Sequence, residues 1–395
     1  MVTRKKRRIA KVPEQPSGTL DLQIPPEKAE PASIGNVLMM VIPMLGSTGV
    51  MIFMALQQQQ QQSNPRMLLM GGGMLVAMLG MVGFNMYRQF SQYRTRVVTQ
   101  RREYLSYLAE TREAVRKVAK KQRAYYNWVY PDPDALVTLA ANGSRLWSRE
   151  GNTYDLLAFR YGSGTQPLGL TFNRPPIDPM TEMDVVCLSA MDRFIGVHDH
   201  TDNVGMFLYL GDFSHIEVAG EGESVYDEMR AIMMHLACFI DPSKLKIAVL
   251  CSADRLGDWE WVKWMPQARS SLVRDAVGPG RMISTDPAEL AEMIGPDIPM
   301  RGPFRFTDDM PEWPHLLLVC DGAEFPSSSP LASPSGVRGV TIMSRAREWT
   351  PMTSHTTLRL VIHPSADRNG SDVVDVVTMD SVPESAHADR LSAVQ

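Results

Sequence analysis

Two stretches of this chain, residues 34–56 and 67–87, contain no charged residue and are dominated by Val, Ile, Leu, Met and Phe. A helix rises 1.5 Å per residue, so about 20 such residues cover the ~30 Å hydrocarbon core of a bilayer. Soluble helices of that length carry charge on one face, so the two runs predict a pair of transmembrane helices. Pro43 is expected to kink the first. In the second, Gly73, Ala77 and Gly80 recur at i, i+4 and i+7, a small-residue face on which another helix can pack closely. Residues 1–123 hold 19 Lys and Arg against 7 Asp and Glu, while the remaining residues hold 21 against 37. Arg4, Lys5, Lys6, Arg7, Arg8 and Lys11 precede the first run, and Arg88, Arg94, Arg96, Arg101 and Arg102 follow the second. The positive-inside rule then predicts cytoplasmic N- and C-termini, with the glutamine-rich link 57–66 outside. The apolar sequence starts too far into the chain, and without a small-residue cleavage site, to read as a signal peptide.

The flanking segments divide as follows. Residues 1–33 read as a basic, Pro-rich cytoplasmic arm whose positive run contacts anionic lipid. Residues 88–130 contain neither glycine nor proline, and Tyr93, Val97, Tyr104, Leu108, Val115, Val118 and Tyr125 recur at steps of three and four. That narrow stripe predicts a helical stalk with one docking face, ending where Pro131-Asp132-Pro133 forbids continuation. Four cysteines without a C-x-x-C pair exclude a disulfide scaffold or a zinc knuckle and read as reduced thiols.

Residues 131–382 alternate between apolar runs of strand length and helix-like segments. Residues 224–239 and 287–294 read as helices, and 245–251, 316–320 and 340–343 as buried strands. Leu156 to Phe172 reads as a hairpin around Gly162-Ser163-Gly164, and 372–379 as a strand at an edge. This pattern predicts an α/β layer with a largely parallel sheet. Residues 383–395 turn polar and read as a linker.

In such a domain the strand-to-helix turn is where phosphates bind. Here it reads Gly220-Glu221-Gly222-Glu223-Ser224, without the lysine of G-x-x-x-x-G-K-[ST] and with two carboxylates where phosphates would rest. The run 316–320 ends in Asp321, like the magnesium-holding strand of ATPases. Missing lysine and added acid predict a P-loop-like domain without hydrolysis. No catalytic residue, metal site or bound cofactor is expected in the chain; His198-Asp199-His200 reads as solvated loop, too few ligands for zinc.

One cluster is unusual. Trp259, Trp261 and Trp264 fall within six positions, with Lys263 among them. Indoles anchor interfaces, so these four residues are interface candidates; the alternative is that they plug the domain's own core.

This stretch, 258–267, resembles the D-W-x-W-x-K-W-L-P-H motif of EccC, the FtsK/SpoIIIE-like membrane ATPase family of type VII (ESX) secretion systems, with Met265 for Leu and Gln267 for His. Tyr104-Leu105-Ser106-Tyr107-Leu108, Pro131-Asp132-Pro133, Arg145-Leu146-Trp147-Ser148-Arg149, Arg160-Tyr161-Gly162-Ser163-Gly164 and 280–285 resemble further family segments in the same order. The resemblance covers nearly the whole chain and identifies it with the family's N-terminal portion. It implies the membrane anchor, stalk and first P-loop-like domain of a hexameric motor in the bacterial inner membrane. It also implies EccB, EccD and EccE as partners, WXG100-type export substrates, and ATP with Mg in downstream domains. An FtsK-like DNA translocase is the alternative from another class, or an independently active ATPase domain. The acidic balance after residue 123 disfavours nucleic acid as a partner.

Overall fold

The computed structural model describes residues 12–30, 65–143, 145–151, 154–306, 313–346, 350–365 and 370–392, with scattered residues between 35 and 54. The chain divides into two compact units. One comprises Met1–Pro16, Ala119–Leu168 and His200–Gln395, the other Ser17–Val118 and Gly169–Asp199.

The expectation of a two-span membrane protein is overturned. Among the described residues no helix is long and apolar enough to cross a membrane. Most of the first run, 34–56, lies outside the described residues. The second, 67–87, is no helix of its own but the start of a 65-residue helix, α1 (Pro65–Val129), which carries charge from Arg88 onward. Absence of charge is also not apolarity: five glycines in 67–87 add no apolar side chain. The multi-pass placement in the inner membrane, with both termini cytoplasmic, falls with the spans.

In the smaller unit, β1 (Gly18–Asp21) pairs in parallel with β3 (Leu170–Asn173). Tyr104, Leu108 and Val115 of α1 are buried there, the stripe expected from their spacing. The Tyr104 hydroxyl donates to the Gln23 carbonyl at 3.2 Å, and the Gln23 amide donates to the Tyr107 hydroxyl at 3.1 Å. Asp184 caps α3 (Val185–His198), accepting from the amides of Val186 and Cys187, and pairs with Arg101 at 2.8 Å. Hydrogen bonding from that guanidinium holds the Asp184 carboxyl below its ordinary range. α1 stops at Val129, ahead of the Pro131 block, and α2 (Pro133–Asn142) follows it in the chain.

The larger unit is built on a ten-stranded sheet. Its first five members are β4 (His200–Tyr209), β2 (Ala158–Pro167), β14 (Glu384–Ala388), β13 (Val373–Val377) and β12 (Thr357–His363), in that spatial order. Beyond them lie β5 (His215–Gly220), β11 (Val340–Ala346), β10 (His315–Asp321), β6 (Leu245–Cys251) and β9 (Ile283–Ser284), while β7 (Arg269–Arg274) and β8 (Pro279–Arg281) form a separate antiparallel pair. From β12 to β9 every pairing is parallel, and from β4 to β12 every pairing is antiparallel. The sheet is therefore mixed, not largely parallel. The parallel half has the alternating strands and helices read from sequence. The antiparallel half comes from segments whose signals are weaker.

Three elements differ in detail. β2 runs straight through Gly162 and Gly164 instead of turning back on residues 167–172, with register shifts on either side of this pair. A Cβ at Gly162 would collide with the His387 carbonyl oxygen, so glycine serves close strand approach there, not a turn. β13 is interior, because residues 384–388 are a strand and not a linker.

The parallel strands are apolar on both faces. Leu317 and Val319 of β10 join one buried cluster with α4 (Ser224–Phe239), while Leu316 and Leu318 join another with Leu290 of a later helix, Pro287–Ile294. Such two-sided burial gives the unbroken apolar run seen in the sequence.

Candidate functional site

β5 leads through Glu221-Gly222-Glu223 into α4, the strand-loop-helix arrangement expected of a phosphate loop. Gly220 has φ +152°, and a Cβ there would sit 2.9 Å from the Ile362 carbonyl oxygen. Gly222 has φ +72° with nothing nearby, so the turn itself demands glycine. One of the loop's carboxylates is engaged by the domain. Glu223 pairs at 2.6 Å with Arg230, two turns along α4, and Asp227 joins the same guanidinium at 2.7 Å. The Ser224 hydroxyl donates back to the Glu221 carbonyl at 3.1 Å. An incoming phosphate would meet this acid, with no lysine in the loop.

Asp321 ends β10 at 2% exposure. Its Oδ2 accepts from the Trp259 indole N–H at 2.9 Å and from Arg255 Nε at 3.2 Å. An aspartate that holds magnesium needs a lone pair open to the metal. Here Oδ2 is shared by an indole and a guanidinium, and the carboxylate as a whole is buried.

Arg255 also stacks over the Tyr226 ring at 4.3 Å, and Arg345 donates to the Tyr226 hydroxyl at 2.9 Å. Tyr226 is buried in the first turn of α4. The C-terminal ends of the parallel strands, where nucleotide would lie, are thus filled by Tyr226, Trp259, Arg255 and Asp321. Sequence reasoning missed Tyr226, Arg230, Arg255 and Arg345. The available signal was a surplus of arginine around a loop otherwise wrong for phosphate.

The three tryptophans part company. Trp259, at the end of the one-turn helix Leu256–Trp259, is 1% exposed and belongs to the main core. Trp261 is half-buried against that core, and its buried indole N–H has no acceptor among the described residues. Trp264 is 76% exposed; Lys263 reaches over its ring at 5.8 Å and pairs with Glu260 at 3.3 Å. Trp261 and Trp264 border a cleft of about 540 Å³, with Val137, Trp147 and Met234 on its other side. Gln267 is buried, and its amide donates to the carbonyls of Ala237 and Ile240 at 2.9 Å each, closing the end of α4.

Gly73, Ala77 and Gly80 lie exposed along α1, with nothing within 4 Å of a Cβ at either glycine. His198 packs edge-on against Phe194 at 4.9 Å, and no group of three or more metal-ligating side chains occurs among the described residues. Burial lifts the thiols of Cys238 and Cys251 to about 11, so both stay protonated at neutral pH.

No family model matches the sequence. Over an alignment 400 positions long that covers 99% of the chain, it is 31% identical to the ESX secretion system protein EccC of Thermomonospora curvata. It is 30% identical over 86% of its length to the ESX-3 secretion system protein EccC3 of Mycobacterium tuberculosis, and 30% identical over 62% to the ESX-1 protein EccCa1 of the same organism. The chain spans 30%, 25% and 32% of those three relatives. The solved cytoplasmic domain of the T. curvata type VII secretion ATPase EccC aligns to 48% of the chain and 25% of that structure, at 14% identity and a TM-score of 0.32, too distant to argue from. Similarity at 31% identity over 99% of its length makes this chain a member of the EccC family of ESX secretion proteins.

Proposed function

We propose that this chain supplies a type VII secretion motor with a P-loop-like domain that does not hydrolyse ATP and instead couples the motor to its neighbours. The observation that carries this reading is the double occupancy of the nucleotide position. Asp321 is bonded by Trp259 and Arg255, and the acidic loop before α4 is tied to Arg230. ATP and Mg then act in other domains of the motor. The helix 88–130 serves as a stalk, and exposed Trp264 beside Lys263 serves as a contact for a partner. EccB, EccD and EccE are the partners this reading assigns within a hexameric assembly, and WXG100-type proteins its export substrates.

The test is ATP turnover and ATP·Mg titration of the purified chain beside Asp321→Asn. No turnover and no saturable heat in either protein is the expected outcome. Saturable binding with turnover that Asp321→Asn abolishes would refute the reading.

A further inference from the structure

Glu228 is fully buried on α4, and its carboxylate has no side-chain hydrogen-bond partner among the described residues; the backbone of Asp389 is the polar group beside it. Beside it, just past β14, Asp389 is 6% exposed and pairs with Arg160 at 2.8 Å. Arg160 on β2 is itself buried and also holds the Tyr130 carbonyl at 3.0 Å and Asp132 at 3.2 Å. Three carboxyls thus face one guanidinium. Asp227 adds negative charge to Glu228 from their shared helix.

The segment that carries Asp389 pairs with β13 over four residues, from His387 opposite Val373 to Glu384 opposite Val376, and the Ser385 hydroxyl donates to Asp375 at 2.6 Å; its hold on the other strands is thinner. β14 meets β2 through only two residue pairs, His387 with Ser163 and Ala388 with Gly162. Arg390 pairs with Asp372 at 2.7 Å, and Arg230 Nε donates to the Leu391 carbonyl at 2.9 Å. Arg230 is the same guanidinium that ties down Glu223 in the degenerate loop.

We propose that residues 384–392 form a proton-linked strap, docked on α4 while Glu228 is neutral and loosened when Glu228 ionises beside Asp389. One guanidinium compensates one buried carboxylate well, and a second ionised carboxylate in the same apolar pocket has no counterion. Burial, and then the Asp389 charge, push the Glu228 carboxyl well above its ordinary range. Burial, opposed by Arg160, leaves Asp389 at about 6. The docked strap therefore binds more protons than the released one, so docking is favoured at low pH and lost as pH rises. Release would also remove the Leu391 carbonyl from Arg230, which links the strap to the loop at the start of α4.

Hydrogen exchange of the full chain between pH 6 and 9 tests this, using the ratio of wild type to Glu228→Gln at each pH so that base catalysis of exchange cancels. For peptides covering 384–392 the ratio should rise with pH, approaching about tenfold per pH unit, the limit for one released proton. β10 should stay protected throughout. A constant ratio overturns the proposal, as does parallel exposure of β10. If Glu228→Gln does not fold, Asp389→Asn replaces it: Arg160 then serves Glu228 alone, and the wild-type-to-variant ratio must still climb with pH.

Discussion

The indole N–H of Trp259 donates to Asp321 Oδ2 at 2.9 Å, across 62 positions of sequence. Both groups are buried, so the aspartate depends on this bond and on Arg255 for its solvation. Replacing Trp259 with Phe keeps most of the ring and removes the donor. The expected cost is about 1–3 kcal/mol, the penalty of leaving a buried acceptor short of a partner. Urea unfolding at an unchanged slope would measure it.

Trp259 and Trp264 should separate cleanly under alanine substitution. Trp259→Ala is expected to cost about 3–5 kcal/mol through loss of core volume. Trp264→Ala, at an exposed site, should stay within about 0.5 kcal/mol. Thermal melting distinguishes them, and co-purification with the secretion complex should be lost in the Trp264 variant alone among stable proteins.

Gly162→Ala should open the seam between β2 and β14, because the added methyl group meets the His387 carbonyl. Overpacking of this kind costs about 1–3 kcal/mol. Exchange at residues 384–392 should rise while β10 remains protected.

Acid should destabilise the larger unit through two buried imidazoles. Burial pushes His315 down to about 3 and His235 well below its ordinary value. Each is neutral when folded and protonated when unfolded, so stability falls as pH drops from about 6.5 toward the folded value. Asp389, raised to about 6, and Glu228, raised well above its ordinary range, oppose this as pH falls toward about 4, because their folded forms bind the extra protons. His235 stacks near Tyr130 and Phe239, and neither nitrogen has a partner among the described residues. His235→Phe should therefore flatten the acid limb without loss of stability at pH 7, as read by chemical unfolding across pH.

The parallel half of the sheet was readable because its signals are local. Helix 224–239, strand 245–251 and helix 287–294 coincide with the observed elements, each marked by an apolar run of matching length. The antiparallel half was not. β14 is polar along most of its length, and in β2 the pair Gly162 and Gly164 mimics a turn signal while serving close approach. At the candidate site the strand, the acidic turn 221–223 and the helix after it could be read from the sequence. The bond between Trp259 and Asp321 could not, since nothing local reports a contact made by tertiary packing. The membrane spans failed for another reason. Lack of charge over 67–87 carries no local sign that the run continues into a long charged helix.

Among the described residues of the ten-stranded sheet, β2 and β4 join the remaining strands only through β14. A ribosome delivers that strand after every other member of the sheet. Until it emerges, the early pair β2–β4 has an open edge that nothing made so far in the sheet can cover, so nascent chains halted before residue 384 should be the ones that chaperones hold.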